Sequence, residues 1–138
     1  MDENLIIKIK KYCKKKGNSF LLSNEIKLAI KLGLDGVYIP SFNKNKKHLS
    51  YSFKKNFIIL GSAHNVYEIR TKELQNVRAL FLSSIFKKNK NYLGLYKFKL
   101  LSLLTKKSLI ALGGISNNNL KKISLTSCHG FAGISFFE

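Results

Sequence analysis

The sequence contains few cysteines and no long apolar run, and both shortages exclude whole classes of protein. Its 138 residues include two cysteines, Cys13 and Cys128, far apart in the chain and outside any C-x-x-C pattern. This usage argues against a disulfide scaffold and favours a reducing compartment. No stretch approaches the roughly 18 consecutive apolar residues that a transmembrane helix needs, and the acidic start Met1-Asp-Glu3 does not resemble a secretory signal. We therefore expect a cytoplasmic protein with no membrane association.

Acidic residues and arginine are also scarce. The chain has 7 acidic and 25 basic residues, a formal net charge of +18, yet only Arg70 and Arg78 carry the planar guanidinium that specific base recognition favours. The lysines occur in every segment, which is typical of a solvated basic surface, so a nucleic-acid partner is not indicated. The charge alone predicts binding to polyanions at low salt. The three histidines, His48, His64 and His129, show no metal-ligand spacing and predict no metal site.

Six apolar stretches alternate with amphipathic stretches along the chain. The apolar stretches begin near residues 19, 36, 57, 79, 109 and 130 and are predicted as strands. Helices are predicted over 3–16, 25–32, 65–74, 95–105 and from 117 onward, with Asn24, Asn65 and Asn117 as N-caps. Residues 41–55 are predicted as a polar loop with one weak helical turn. Continuous apolar strands that alternate with helices indicate one α/β domain with a parallel sheet, and function is expected in the loops after the strands.

The stretch Leu109–Asn119 has the pattern of a phosphate-binding loop. A short apolar strand is followed by Gly113 and Gly114 and then by a predicted helix start. Glycine lets backbone N–H groups approach an anion, and a helix start favours negative charge. The next strand ends close by, so we expect the backbone of Ile134 and Ser135 to close the other side of the site. A tight turn without a ligand is the alternative interpretation.

Five motifs, in order, resemble those of the thiamine-phosphate synthase and thiazole tautomerase family. They cover roughly residues 5 to 137 and comprise Asn24 to Ile39, Ile59 to His64, Ser83 to Phe86, Ala111 to Ile115 and Gly130 to Ser135. The family fold is a TIM-type (βα)8 barrel. The resemblance therefore implies a partial barrel of about six parallel strands, the family's strands 3–8, with outer helices. It implies one domain, residues 1–138, that lacks the first two strands and the last helix.

The resemblance also assigns roles to individual residues. Asn24 and Asn43 stand where the family has its magnesium-binding aspartates, and because neutral amides bind magnesium less well than carboxylates, the resemblance implies a Mg²⁺ cofactor that is weakly bound or lost. Ser62 would contact a diphosphate, and His64 is a second candidate for chemistry, although a histidine just after a strand is more often a helix-start residue. A thiazole-phosphate site is implied at Lys90, Gly113, Gly114 and Ser135.

Three functions follow from these observations. The first is a thiamine-phosphate synthase, a transferase that joins hydroxymethylpyrimidine diphosphate to a thiazole phosphate and releases diphosphate. We expect this activity to be absent or weak, because the family's Gln-x-Arg-x-Lys motif is missing and asparagines replace the metal-binding acids. The second is a non-catalytic relative that binds a phosphorylated small molecule, and the third is a basic polyanion-binding or nucleic-acid-binding protein. A partial barrel has open edges, so we also expect self-association into a homo-oligomer.

Overall fold

Six parallel strands form one sheet in the computed structural model, which describes residues 2–137. The strands are β1 (Leu21–Ser23), β2 (Gly36–Ile39), β3 (Ile58–Ala63), β4 (Ala79–Leu82), β5 (Ser108–Leu112) and β6 (Gly130–Ala132). They lie side by side in chain order, so β1 and β6 are the two edges of the sheet. This order is that of an arc of a barrel, and it confirms the predicted α/β fold with a partial barrel of six strands.

Residues 2–137 also form four α-helices and three short 3-10 helices, of which the first α-helix precedes β1 and the last 3-10 helix follows β6. The α-helices are α1 (Glu3–Lys16), α2 (Ile26–Lys31), α3 (Val66–Leu74) and α4 (Gly94–Ser102). The 3-10 helices are Lys47–Ser50, Leu120–Leu125 and Ser135–Phe137. The first of them confirms the weak turn predicted within the loop 41–55.

The ends of α1 and α3 follow their local sequence. The carboxylate of Asp2 accepts hydrogen bonds from two N–H groups of the first turn of α1, and Gly17 ends the helix in the left-handed conformation. The side chain of Asn65 accepts a hydrogen bond from the N–H group of Glu68, which confirms the predicted cap of α3. Both helices therefore begin where a short polar side chain satisfies otherwise unpaired backbone donors.

Two other predicted N-caps are wrong. Asn24 adopts a positive φ of 65° and α2 begins two residues later without a side-chain cap. The segment after Asn117 forms a 3-10 helix that begins at Leu120 and not an α-helix. The Asn24 side chain accepts from Asn43 instead. In the second segment Asn119, and not Asn117, makes the side-chain hydrogen bonds, to the Ser116 N–H group and the Gly114 carbonyl oxygen.

The two faces of the sheet differ in burial. Side chains that face the helices are fully buried in two clusters, one around β3–β5 with α3 and α4, the other around β1–β2 with α1 and α2. On the opposite, concave face the rings of Tyr38 and Phe81 meet edge to face with centroids 5.7 Å apart. These residues, and Leu60 and Ile110 in register with them, are only partly buried. The concave face is therefore apolar and partly open.

The loop between β2 and β3 contains the 3-10 helix Lys47–Ser50 and no α-helix within the described residues. Its backbone carbonyl groups need donors there, since an irregular segment cannot pair them internally. Lys72 Nζ donates to the carbonyl oxygen of Asn43 at 2.9 Å and to Gln75 Oε1 at 2.8 Å. Gln75 Nε2 donates to the carbonyl oxygens of Asn43 and Asn45 at 2.8 and 2.9 Å. Two buried side chains, Lys72 of α3 and Gln75 at its C-terminal end, thus attach this loop to α3.

Candidate active site

The candidate residues lie at one edge of the sheet, because the strands of the sheet are parallel. Asn24 directly follows β1, Ser62 lies near the end of β3, and Gly113 directly follows β5. Because all six strands run in the same direction, their carboxyl ends share an edge. The loops that carry the other candidates, Asn43, His64, Lys90, Ile134 and Ser135, follow β2, β3, β4 and β6 at this same edge.

Asn24 and Asn43 contact each other directly. Asn43 Nδ2 lies 2.6 Å from Asn24 Oδ1, and the backbone N–H group of Asn45 donates to Asn43 Oδ1 at 2.9 Å. An N–H group can donate only to an oxygen, so the bond from Asn45 determines which end of the Asn43 amide is the NH2 group. That NH2 group then identifies the Asn24 atom it meets as the oxygen. The two positions that the resemblance assigns to the family's metal site therefore lie side by side.

This arrangement does not fit a magnesium ion. Magnesium is usually held by carboxylates that converge on one point, whereas this pair is neutral and each amide oxygen already uses one of its two lone pairs in a hydrogen bond to the protein. Glu25 is the only carboxylate that lines the small cavity beside the pair. Within residues 2–137, no group of three or more His, Cys, Asp or Glu side chains is placed to hold a metal ion. The pair instead presents amide N–H groups.

Ser62 and His64 lie on and just after β3. The Ser62 side chain lies on the same face as Phe81, its partner in register, and it is 6% exposed. Its hydroxyl makes no hydrogen bond within the described residues. The His64 ring lies 3.1 Å from the Glu68 carboxylate, which also accepts from the His64 backbone N–H group. The histidine is therefore part of the start of α3, while the serine hydroxyl faces the concave side of the sheet.

Gly113 and Gly114 form a loop with a left-handed backbone. Their φ angles are 112° and 72°, a backbone conformation that residues other than glycine rarely adopt. None of the loop, turn or side-chain hydrogen bonds of residues 2–137 uses either of their N–H groups as a donor. Asn119 holds the loop closed, since its side chain donates to the Gly114 carbonyl oxygen at 2.9 Å and accepts from the Ser116 N–H group at 2.8 Å.

The loop after β4 packs on this glycine pair, a contact that the sequence reasoning missed. A Cβ atom at Gly113 would lie 3.0 Å from Ser84 Cα, and one at Gly114 would lie 2.8 Å from the Lys87 backbone nitrogen. The Gly113 carbonyl oxygen accepts from the N–H groups of Phe86 and Lys87 at 2.9 and 3.2 Å. The glycines thus allow a close approach of two backbones. Lys90, in the same loop, is exposed.

Ile134 and Ser135 follow β6 beside the glycine loop. Leu112 and Ala132 are partners in register, so the segments that begin at Gly113 and at Gly133 leave the sheet side by side. Ile134 is 83% exposed, and Ser135 begins the last 3-10 helix. The rings of Phe131, Phe136 and Phe137 pack against one another below it. The predicted proximity of the two loops therefore agrees with the register of β5 and β6.

The fold and the residues at this edge define a class of protein, the parallel α/β proteins built as a TIM-type barrel, here as a six-stranded arc. Comparison with known families is more specific. The family model for thiamine monophosphate synthase matches residues 3–137. The chain belongs to this family.

Individual relatives agree with this assignment. The thiamine-phosphate synthase of Helicobacter pylori strain HPAG1 is 30% identical over 128 residues, which cover 88% of this chain and 58% of that protein. The thiamine-phosphate synthase of Lactococcus lactis subsp. cremoris is 23% identical, with 93% of this chain and 61% of that protein covered. The chain thus spans about three fifths of the length of these relatives.

A solved structure supports the fold independently. The thiamine phosphate pyrophosphorylase from Pyrococcus furiosus superposes with a TM-score of 0.78 at 20% sequence identity, over 98% of this chain and 68% of that chain. At this identity the likeness establishes the architecture, which is the barrel type expected from the resemblance. No helix within residues 2–137 is long and apolar enough to cross a membrane.

Proposed function

We propose that this chain is a thiamine-phosphate synthase type of protein in thiamine biosynthesis that binds a thiazole phosphate at the carboxyl edge of its sheet. The observation that carries the proposal is the loop of Gly113 and Gly114, whose N–H groups have no partner among the loop and side-chain hydrogen bonds of residues 2–137. Successive N–H groups in a left-handed turn form a concave site for anions. The end of β6 lies beside this loop, so Ile134 and Ser135 would complete the phosphate site, with Lys90 as an added cation.

The other residues suit the second substrate. Synthesis of this type breaks the bond between a pyrimidine methylene carbon and its diphosphate, and the thiazole nitrogen then bonds to that carbon. Ser62 would contact the diphosphate, because its hydroxyl faces the concave side without a protein partner in the described residues. His64 is held by Glu68, so we assign it to the helix start and not to proton transfer.

Synthase activity in this chain is proposed to be absent or very weak. A leaving diphosphate needs its developing charge neutralised, and such electrostatic effects contribute several kcal/mol to catalysis in general. Asn24 and Asn43 offer Mg²⁺ neutral amides whose oxygens each accept a hydrogen bond already, so we infer that metal binding is weak or lost. The same observation favours a second candidate function, a non-catalytic protein that binds the phosphorylated ligand.

Two measurements on the full chain test these proposals. The first measures the formation of thiamine phosphate from both substrates with Mg²⁺. Turnover at a rate typical of enzymes would contradict the proposal that synthase activity is absent or very weak. The second is titration of the ¹⁵N-labelled chain with a thiazole phosphate. The largest amide shifts are expected at Gly113, Gly114 and Ser135. Shifts confined to residues 87–90 would mean that the glycine pair is only a turn.

Three coarser properties belong to the same proposal. We propose that residues 1–138 act as one domain and that the protein works in the cytoplasm, which the unpaired thiols of Cys13 and Cys128 support. We also propose that copies associate through β1 and β6, since both strands have a free edge within the described residues.

A further inference from the structure

We propose that the pair of Asn24 and Asn43, at the family's metal position, is an anion site that binds a phosphate group directly and without a divalent cation. The inference rests on the proposed function, because it assumes that phosphorylated ligands bind at this edge of the sheet. It differs from the family expectation of a magnesium site. The inference follows from the amide N–H donors of Asn24 and Asn43 and does not rest on the absence of a metal ion.

The hydrogen bonds of the pair leave three N–H hydrogens free and use one lone pair of each amide oxygen. Asn24 Oδ1 accepts from Asn43 at 2.6 Å, and Asn43 Oδ1 accepts from the Asn45 N–H group at 2.9 Å. The NH2 group of Asn24 keeps both of its hydrogens, and that of Asn43 keeps one. Each amide oxygen keeps one lone pair, but the asparagine pair carries no negative charge to attract a divalent cation. An anion can use the free hydrogens with the pair as it stands.

The cavity beside the pair has the charge and size for such a group. It encloses about 210 Å³, and two cationic side chains, Lys27 and Lys47, line it against one carboxylate, Glu25. Lys27 Nζ also lies 5.8 Å from the centre of the Tyr51 ring. The phenol ring forms part of the wall of the same cavity. The net positive lining attracts a phosphate group, and the amide hydrogens give it a defined position.

The left-handed backbone at Asn24 helps to orient the pair. Its φ is 65°, and its N–H group donates to the Tyr38 carbonyl oxygen at 2.7 Å. Asparagine tolerates this conformation better than most residues, so the side chain is presented toward the loop after β2 and not toward α2. The position of Asn24 therefore depends on its backbone hydrogen bond to the neighbouring strand β2.

Titration of the ¹⁵N-labelled full chain with inorganic phosphate tests the inference, first in EDTA and then with Mg²⁺, at 150 mM KCl to screen the general positive charge. Saturable shifts of the side-chain NH2 signals of Asn24 and Asn43 are expected in EDTA, with little change when Mg²⁺ is added. Shifts that require Mg²⁺, shifts caused by Mg²⁺ alone, or the absence of any shift at this pair would each overturn the inference. Diffuse, non-saturating shifts over many lysines would do the same.

Variants with matched controls provide a second readout. Lys47→Gln removes a cation that lines the cavity and is expected to weaken phosphate binding several-fold, whereas Lys46→Gln, an exposed neighbour outside the cavity, should change it little. Asn43→Asp places a carboxylate at the site and should weaken binding about tenfold. Asn18→Asp adds the same charge at the opposite end of β1 and serves as its control.

The same titration separates this inference from the proposed function. The backbone signals of Gly113 and Gly114 report the glycine site, and the side-chain signals of Asn24 and Asn43 report the amide site. If the glycines shift and the amides do not, the amide inference is wrong and the proposed function stands. If the amides shift with inorganic phosphate and the glycines shift with neither inorganic phosphate nor the thiazole phosphate, the thiazole-phosphate proposal is the one that is wrong.

Discussion

The ammonium nitrogen of Lys72 lies 2.9 Å from the carbonyl oxygen of Asn43, so a fully buried side chain of α3 attaches the loop that also carries the amide site. The lysine stem passes over Gly61 of β3, where a Cβ atom would lie 2.5 Å from Lys72 Cδ. Burial lowers the pKa of Lys72 from 10.5 to about 8, an effect that the nearby charge of Glu68 partly opposes. The folded protein therefore carries an ammonium group that it accommodates at some cost at neutral pH.

The first prediction is that stability rises with pH above 8. Between the lowered folded pKa of about 8 and the ordinary value of 10.5, the unfolded chain binds more protons at Lys72 than the folded chain. The free energy of unfolding then increases with pH, by at most about 1.4 kcal/mol per pH unit for one group. Urea unfolding at pH 7.5, 8.5 and 9.5 measures this slope.

Lys72→Met should flatten that slope, because the group that titrates is gone. Lys121→Met, which changes an exposed lysine of the 3-10 helix Leu120–Leu125, should keep it. An equal slope in the Lys72 variant and in the wild type would show that another group causes the pH dependence.

The second prediction concerns the glycine loop. Gly113→Ala should destabilise the fold by more than about 1 kcal/mol, since alanine is strained at positive φ and its Cβ would lie 3.0 Å from Ser84 Cα. Gly130→Ala is the control, because a Cβ there meets no atom within 4 Å, and its effect should stay within about 0.5 kcal/mol. Equal effects in chemical denaturation would mean that the close approach of the two loops is not formed in solution.

The third prediction concerns the cap of α3. Asn65→Ala removes the acceptor of the Glu68 N–H group and should cost about 1 kcal/mol of stability. Asn118→Ala changes an exposed asparagine that makes no side-chain hydrogen bond within residues 2–137 and should cost much less. Denaturant midpoints compare the two variants, and a similar loss in both would contradict the capping role.

The fourth prediction is self-association through the open edges of the sheet. The net charge of +18 opposes contact between copies, so oligomers should increase at 0.5 M salt, where this repulsion is screened. Ala132→Lys places a charge on β6 beside Leu112 and should shift the protein toward the monomer. Ser52→Lys adds the same charge in an exposed loop and should not. Sedimentation that shows only monomer at both salt concentrations, with cooperative unfolding, would contradict the proposal.

The sequence by itself determined the elements that depend on local pattern. Apolar stretches at a spacing of 20–30 residues predicted all six strands, and the parallel order followed because helices separate them. The caps at Asn65 and Gly17 were readable for the same reason, since the groups that form them lie within a few residues. Local signals also placed the candidate residues after strands, and hence at one edge of the sheet.

Only the tertiary structure decided what each polar residue does at that edge. Asparagine before an amphipathic stretch is typical of a helix N-cap. Asn24 nevertheless bonds to Asn43, 19 residues away, because the parallel pairing of β1 and β2 brings the two loops together. Lysine is a residue type usually found at the surface, yet Lys72 is buried, and its ammonium group donates to the Asn43 carbonyl oxygen, 29 residues away in the chain. These outcomes depend on contacts between distant segments, and a local pattern does not contain them.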